Sequence, residues 1–302
     1  MSIGVCIMNE NKRRKPVIGV ANQKGGVGKT TISRLIAEFL AIIIKIRVLL
    51  IDLDPQTSLT NRFFGIRENP ITGYKEPPLH PSYNPDKLYQ DSWDGKSSIA
   101  DIYFGRRLPT AYPTKIDKLD IIPADEGQLF KVAEIKRKEI IDHAYKKLNE
   151  FLSLKSVQTQ YDVIVLDTPP AKDSPFTIGA FKAMSHLIIP LEAEYQALEG
   201  LSGLLQLWKN EALHRPRDNN LELVGILLNK IHSRRSLDED IIEQLRNQQT
   251  GQYIIPVELV DRAEIPTSDK PDGESIFYLP KSNVAKQEAV TACQYIYERI
   301  MQ

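Results

Sequence analysis

Asn22-Gln23-Lys24-Gly25-Gly26-Val27-Gly28-Lys29-Thr30-Thr31 decides the fold, because here a glycine-rich turn carries an apolar run directly into a helical pattern. The run before it, Val17–Ala21, is uniformly apolar, as expected of a strand buried on both faces. The pattern after it, Thr31–Ile44, repeats its apolar residues at helical spacing. A turn of this kind lets backbone N–H groups, here those of Gly25, Gly26, Val27 and Gly28, converge on phosphate oxygens, and the helix aims its positive end at the same point. Lys29 then supplies a charge to the β- and γ-phosphates, the Thr30 hydroxyl ligates Mg²⁺, and Thr31 donates a further hydrogen bond to phosphate. The common form of such a loop has glycine where this chain has Gln23, and this chain adds a second lysine, Lys24.

Outward from the loop, further apolar runs recur at Val48–Leu53, Leu119–Ile122, Val163–Leu166, Leu187–Leu191 and Leu223–Leu228. Helical patterns lie between them at Gln128–Leu154, Phe176–Met184, Leu198–Leu213 and Asp238–Arg246. This alternation predicts an α/β fold, a mostly parallel sheet flanked by helices, of the P-loop nucleotide-hydrolase type. Residues 16–302 read as a single ATPase domain behind a flexible basic arm, residues 1–15, which carries Lys12-Arg13-Arg14-Lys15. One region breaks the rhythm. From Gly65 to Lys118 the chain carries seven prolines and one short helical candidate, Ser97–Phe104. So much proline cannot form a central strand, so the region reads as an irregular surface insertion, a mobile loop in the first instance and a partner-binding element in the second.

Composition narrows the function classes. Lys plus Arg and Asp plus Glu both number 39, so no global field draws the chain onto DNA or an anionic membrane, and polyanion binding requires a local patch. The two cysteines, Cys6 and Cys293, stand at opposite ends and form no metal-ligand spacing or disulfide framework, which points to a reducing cytoplasm. The most apolar stretch, Leu35–Leu53, is interrupted by Glu38, Lys45, Arg47 and Asp52 and so cannot cross a bilayer as one helix.

The Lys-Gly-Gly-Val-Gly-Lys-Thr loop resembles the deviant phosphate loop of the ParA/MinD superfamily, and two further motifs agree with it. Val48-Leu49-Leu50-Ile51-Asp52-Leu53-Asp54-Pro55-Gln56 is similar to that superfamily's second acidic motif, and Tyr161–Pro170, with Asp167-Thr168-Pro169-Pro170, to its Walker B strand and switch. The resemblance is to the ParA-type partition ATPases, from Pro16 onward and loosely across the insertion. It implies an ATP-dependent homodimer with two nucleotides at its interface, Lys24 reaching the partner's nucleotide, and Asp54 orienting the attacking water. It also implies Asp167 holding Mg²⁺ through water, with Asp52 supporting the magnesium shell. Asn229 is expected at the adenine edge, and Ile254–Leu259, with Pro256, Glu258 and Leu259, is expected to form an adenine-side loop.

Within the superfamily, the nitrogenase-reductase branch needs interface cysteines that this chain lacks near its switch motifs. The membrane-bound branch needs a basic amphipathic C-terminal helix, whereas Val290–Gln302 carries little positive charge and reads as a packing helix. The DNA-partition branch binds nonspecific DNA through C-terminal-half basic residues, here Arg215, Arg217, Lys230, Arg234, Arg235, Arg246 and Arg262, with Arg234, Arg235 and Arg262 nearest the family's DNA-contacting regions. The expectation is a cytoplasmic, nucleoid-associated partition ATPase acting with a centromere-binding ParB-type adaptor and no membrane. The alternative is a positioning scaffold of the same superfamily that places a protein complex without DNA.

Overall fold

The computed structural model describes residues 14–87, 93–105, 107–135, 138–216, 219–232, 236–271 and 273–302. The first strand, β1 (Val17–Val20), passes through the glycine turn into α1 (Lys29–Phe39), which continues as a π-helical turn, Leu40–Ile44. Next come β2 (Val48–Asp52) and α2 (Ser58–Phe64), then within the insertion α3 (Asp101–Phe104) and β3 (Tyr112–Pro113). β4 (Leu119–Ile122) leads to α4 (Glu126–Ala133), α5 (Lys138–Leu152) and α6 (Lys155–Gln160). The chain then alternates through β5 (Val163–Asp167), α7 (Pro175–Ala183), β6 (His186–Leu191), α8 (Tyr195–Leu213), β7 (Glu222–Ile231) and α9 (Ser236–Asn247). It closes with β8 (Ile254–Val260), α10 (Glu264–Ser268) and α11 (Val284–Ile300).

Among the described residues these strands form one eight-stranded sheet, ordered β3-β4-β2-β5-β1-β6-β7-β8 and parallel except for β3. Its central strands, β1, β2 and β5, are buried along their whole length, the physical counterpart of their unbroken Val/Ile/Leu runs. Two apolar layers sandwich the sheet. One face packs on α5, α7, α8 and α9 through Leu148, Phe176, Phe181, Leu204 and Leu245. The other packs on α1 and α11 through Leu35, Phe39, Ala289, Cys293 and Ile296, so the C-terminal helix is a packing helix, as its sequence predicts.

The sequence reading omits two strands, both at sheet edges. β3 is two residues long, antiparallel and proline-bearing, which an edge tolerates and a centre does not. β8 falls on the segment expected to be an adenine-side loop; Ile254–Val260 instead pairs with β7, with Leu259 in the core and Pro256 exposed. The expected Gln128–Leu154 helix is two helices, and Ser97–Phe104 contributes only its last turn to helix, with Ser98 and Asp101 bonding the turn that precedes it.

The insertion is not a loose loop over its described residues. His80, Tyr83, Trp93 and Tyr112 pack in edge-to-face and tilted pairs with centroids 4.5–5.7 Å apart, and the Tyr112 hydroxyl donates to the Pro78 carbonyl while accepting from the Ser97 N–H. Of the basic arm, residues 1–13 lie outside the described residues. Arg14 donates to Asn149 of α5 at 2.6 Å, and the Lys15 backbone donates to Gln158 of α6 at 2.9 Å.

Candidate nucleotide site

The loop between β1 and α1 owes its shape to backbone conformations that a side chain would oppose. Gly26 and Gly28 have φ of 82° and 88°, in the left-handed region that only glycine occupies freely. At Gly28 there is a second reason: a Cβ would stand 2.2 Å from Asn229 Nδ2, so β7 could not bring its asparagine so close to any other residue. That amide donates to the Val27 carbonyl at 2.9 Å. Asn229 thus braces the loop from behind; its placement here is steric and hydrogen-bonded, beyond the adenine role expected for it. Gly25 and Gly26 meet no heavy atom within 4 Å of an added Cβ, leaving their backbone open toward incoming oxygens.

Asn22 is a contributor that sequence reading passes over. Its amide donates to the Pro190 carbonyl of β6 at 2.7 Å, and its carbonyl oxygen accepts the Lys24 N–H at 3.0 Å, fixing where the loop leaves the sheet. A short polar residue directly after a buried strand is the available signal for such a turn.

Lys29 is only 7% exposed and points back along the loop, its ammonium donating to the Lys24 carbonyl at 3.1 Å. Burial lowers its pKa, opposed by the nearby carboxylates of Asp167 and Asp54. Asp167, at the end of β5, accepts from Ser33 of α1 at 3.1 Å through Oδ1, while its Oδ2 is buried with no hydrogen-bond partner among the described residues. Burial and the neighbouring Asp52 charge push its pKa well up, and the Thr30 hydroxyl beside it favours the ionised form. An orphaned carboxylate oxygen next to a threonine hydroxyl suits a magnesium ion, which takes one or two protein oxygens and leaves its remaining positions to water and phosphate. The expected pair Thr30 and Asp167 therefore fits the ion.

Asp54 and Asp52 diverge despite their two-residue spacing. Asp54 Oδ1 caps the following turn by accepting the Gln56 N–H at 2.9 Å, and burial raises its pKa, opposed by that hydrogen bond and by the Lys29 charge. It is the outer of the two, partly reachable at 8% exposure. Asp52 is fully buried and turned toward α2: Oδ2 accepts from both the N–H and the hydroxyl of Thr60, and Oδ1 from the Asp54 N–H. Burial pushes its pKa up to about 7. The structure thus gives Asp52 the task of fixing the segment that carries Asp54.

The remaining expected residues sort clearly. Lys24 extends to an ion pair with Glu194, exposed on the loop after β6. Thr31 donates its hydroxyl to Asp269 at 2.6 Å. Glu258 pairs with Arg246 at 2.7 Å, and Leu259 is in the core. Arg262 is held by both oxygens of Glu288 on α11, at 3.0 and 2.7 Å, while Arg234 and Arg235 lie outside the described residues, as does Arg217. Of the other basic candidates, Arg215 donates to the carbonyls of Phe181 and Met184, and Lys230 pairs with Glu192 at 2.8 Å.

A second set of charges stands on the flank of α1, and no motif announces it. Arg34 is fully buried, donating to Glu38 at 2.8 Å, Asp269 at 2.7 Å and Ser268 at 2.8 Å. Glu38 accepts also from Ser275 at 2.6 Å and stands 3.7 Å from Arg62 of α2, whose guanidinium donates to the Gly273 carbonyl at 2.6 Å. Burial works against the Arg34 charge, but Glu38 and Asp269 outweigh it and raise its pKa.

Comparison with known proteins agrees with this architecture. A family model described as an AAA domain matches residues 15–223. The sporulation initiation inhibitor protein Soj of Bacillus subtilis is 32% identical over 89% of this chain and 94% of its own. The chromosome partitioning protein ParA of Myxococcus xanthus is 29% identical over 84% and 80%, respectively. Among solved structures, a putative plasmid partition protein of Borrelia burgdorferi bound to AMPPNP superimposes with a TM-score of 0.66 at 21% identity, covering 95% of this chain and 98% of that one. McdA of Cyanothece superimposes with a TM-score of 0.69 at 18% identity, covering 93% and 99%. With the model spanning more than half its length and Soj matched along nearly all of it, the chain belongs to the ParA-type family of partition ATPases.

Proposed function

We propose that this chain is one ATP-hydrolysing domain that dimerises on Mg-ATP and, as the dimer, binds DNA of any sequence to partition a plasmid or chromosome region with a centromere-binding ParB-type adaptor, in the cytoplasm at the nucleoid. The observation that carries the proposal is the convergence of Lys29, Thr30, Asp54 and Asp167 at the carboxyl ends of β1, β2 and β5. Magnesium, when bound, neutralises charge on the phosphate oxygens. Thr30 and Asp167 would hold it, and Asp167 Oδ2 has no hydrogen-bond partner among the described residues. Lys29 balances the phosphates from the loop side. Asp54, buried but less deeply than Asp52 and carrying a raised pKa, is suited to accept a hydrogen bond or proton from the attacking water. Lys24, whose side chain is held by an exposed ion pair, can exchange Glu194 for a partner's nucleotide at little cost.

The test has three readouts on the purified protein: phosphate release with Mg-ATP, mass by light scattering with ATP or ADP, and gel shifts of unrelated duplexes over a salt series. The expected result is turnover, an ATP-dependent dimer and DNA binding that weakens steeply with salt, about 0.9 in logarithmic slope per phosphate contacted. A second reading has its own support: Arg215, Lys230, Arg246 and Arg262, the basic candidates among the described residues, are each engaged by an acidic group or a carbonyl. An ATP dimer that ignores DNA even at low salt would select that reading, a scaffold that positions a protein complex.

A further inference from the structure

Thr31 is claimed twice. On the nucleotide-binding reading, its place in the first turn of α1, two residues after Lys29, calls on its hydroxyl for a phosphate. The structure gives that hydroxyl to Asp269 Oδ2 at 2.6 Å. A hydroxyl has one proton to donate, so both bonds cannot be made at once.

We propose that Asp269 is a positioning residue that nucleotide displaces: phosphate takes the Thr31 proton, and the segment carrying Asp269 is released from the first turn of α1. The inference rests on the nucleotide-binding reading above. Two features make the exchange costly enough to matter. A hydrogen bond to a carboxylate is stronger than one between neutral groups. The Asp269 side chain, 30% exposed, also stands one hydrogen bond from the phosphate-binding turn, where its negative charge opposes an arriving phosphate. Asp269 therefore weakens nucleotide binding while it stabilises the free loop.

The consequence travels along groups already in contact. Asp269 shares Arg34 with Glu38 and Ser268, and Glu38 reaches Arg62 of α2, the helix that follows Asp54. Once released by Thr31, the Asp269 side chain still accepts from Arg34, so the link from the phosphate turn to α10 breaks while that from α1 to α2 persists. Nucleotide occupancy is thus felt first by Glu264–Lys270, the segment that closes the flank of α1 beyond β8.

Asp269→Asn separates this role from simple support of Arg34. The asparagine carbonyl oxygen can still accept from Arg34, and its NH₂ can donate to Thr31 Oγ1, which frees the Thr31 proton for phosphate. Titration calorimetry with Mg-ADP and Mg-AMPPNP is expected to show Asp269→Asn binding about three- to tenfold tighter than the unsubstituted protein. Thr31→Val should cost more affinity in the Asp269→Asn background than alone. In the unsubstituted protein, hydrogen exchange of Glu264–Lys270 should quicken on saturation with Mg-AMPPNP, a readout that needs no variant. Nucleotide binding that is normal in the unsubstituted chain, unchanged or weaker in Asp269→Asn, and without effect on exchange of that segment overturns the inference alone. No nucleotide binding by the unsubstituted chain overturns both it and the reading on which it rests.

Discussion

The first turn of α1 and the flank that follows it on the same helix make an instructive pair. The turn carries Lys29, Thr30 and Thr31, contiguous residues whose order alone names their chemistry. The flank carries Arg34 and Glu38, fully buried charges whose partners, Arg62, Ser268, Asp269 and Ser275, come from distant parts of the chain. Read along the sequence, Arg34 and Glu38 resemble an ordinary surface i,i+4 pair. Depth separates the two regions. In the turn, the Lys29 ammonium meets a backbone carbonyl and Asp167 Oδ2 has no partner among the described residues; on the flank, each charge meets an opposite charge inside the protein.

The largest effect that tests this contrast belongs to the turn. Lys29→Ala should reduce nucleotide binding below detection by calorimetry, whereas Asp54→Ala should bind normally and release phosphate about 10²- to 10⁴-fold more slowly, with ATP dimer accumulating. Normal turnover in the Asp54 variant would remove the carboxylate from the reaction. On the flank the expected loss is of stability and not of chemistry. Glu38→Ala leaves the buried Arg34 with one fewer partner and should cost about 3–5 kcal/mol in denaturant unfolding. A loss under about 1 kcal/mol would mean that the network is looser than its distances imply.

The next effect depends on pH. The folded pKa of Asp52, about 7, lies above its ordinary value of 3.8, so the native state binds the extra proton between those limits. Without nucleotide or magnesium, stability should therefore fall as pH rises from about 4 to about 7, a slope that Asp52 shares with the raised carboxyl of Asp167. Asp52→Asn should reduce that slope, and an unchanged slope would assign it to other groups. The smallest effect is on Lys24: its ion pair is exposed, so Lys24→Gln should shift folding stability by less than about 1 kcal/mol while abolishing the ATP dimer seen by light scattering. An unimpaired dimer would make it an ordinary loop lysine.

The same contrast explains what the sequence made legible. The central strands and the phosphate loop were readable because each rests on a local rule: unbroken apolar runs for strands buried on both faces, and glycines where the backbone turns left-handed. β8 was not, because Ile254–Val260 contains an exposed proline and a glutamate, letters that suit an edge strand and a loop equally. The order in the insertion was hidden for a different reason: His80, Trp93 and Tyr112 become one aromatic cluster only after the chain has folded back. Asp269 was unreadable on the same ground, since nothing near it in sequence refers to Thr31.

Asp52 and Asp167 are register partners on adjacent parallel strands, and Val20, the last residue of β1, is paired with Asp167 in turn. The sheet therefore acts as a ruler for the site: its graduations are the spacing of neighbouring strands, about 4.8 Å, written in backbone hydrogen bonds and not in side chains. Such a ruler is indifferent to what the loops spell, so relatives can exchange most of their letters and keep the same intervals between reacting groups. It is unforgiving in one direction. A slip of β2 by a single residue would set Ile51 or Leu53 against Asp167 and turn both Asp52 and Asp54 to the opposite face, erasing the site without touching the phosphate loop.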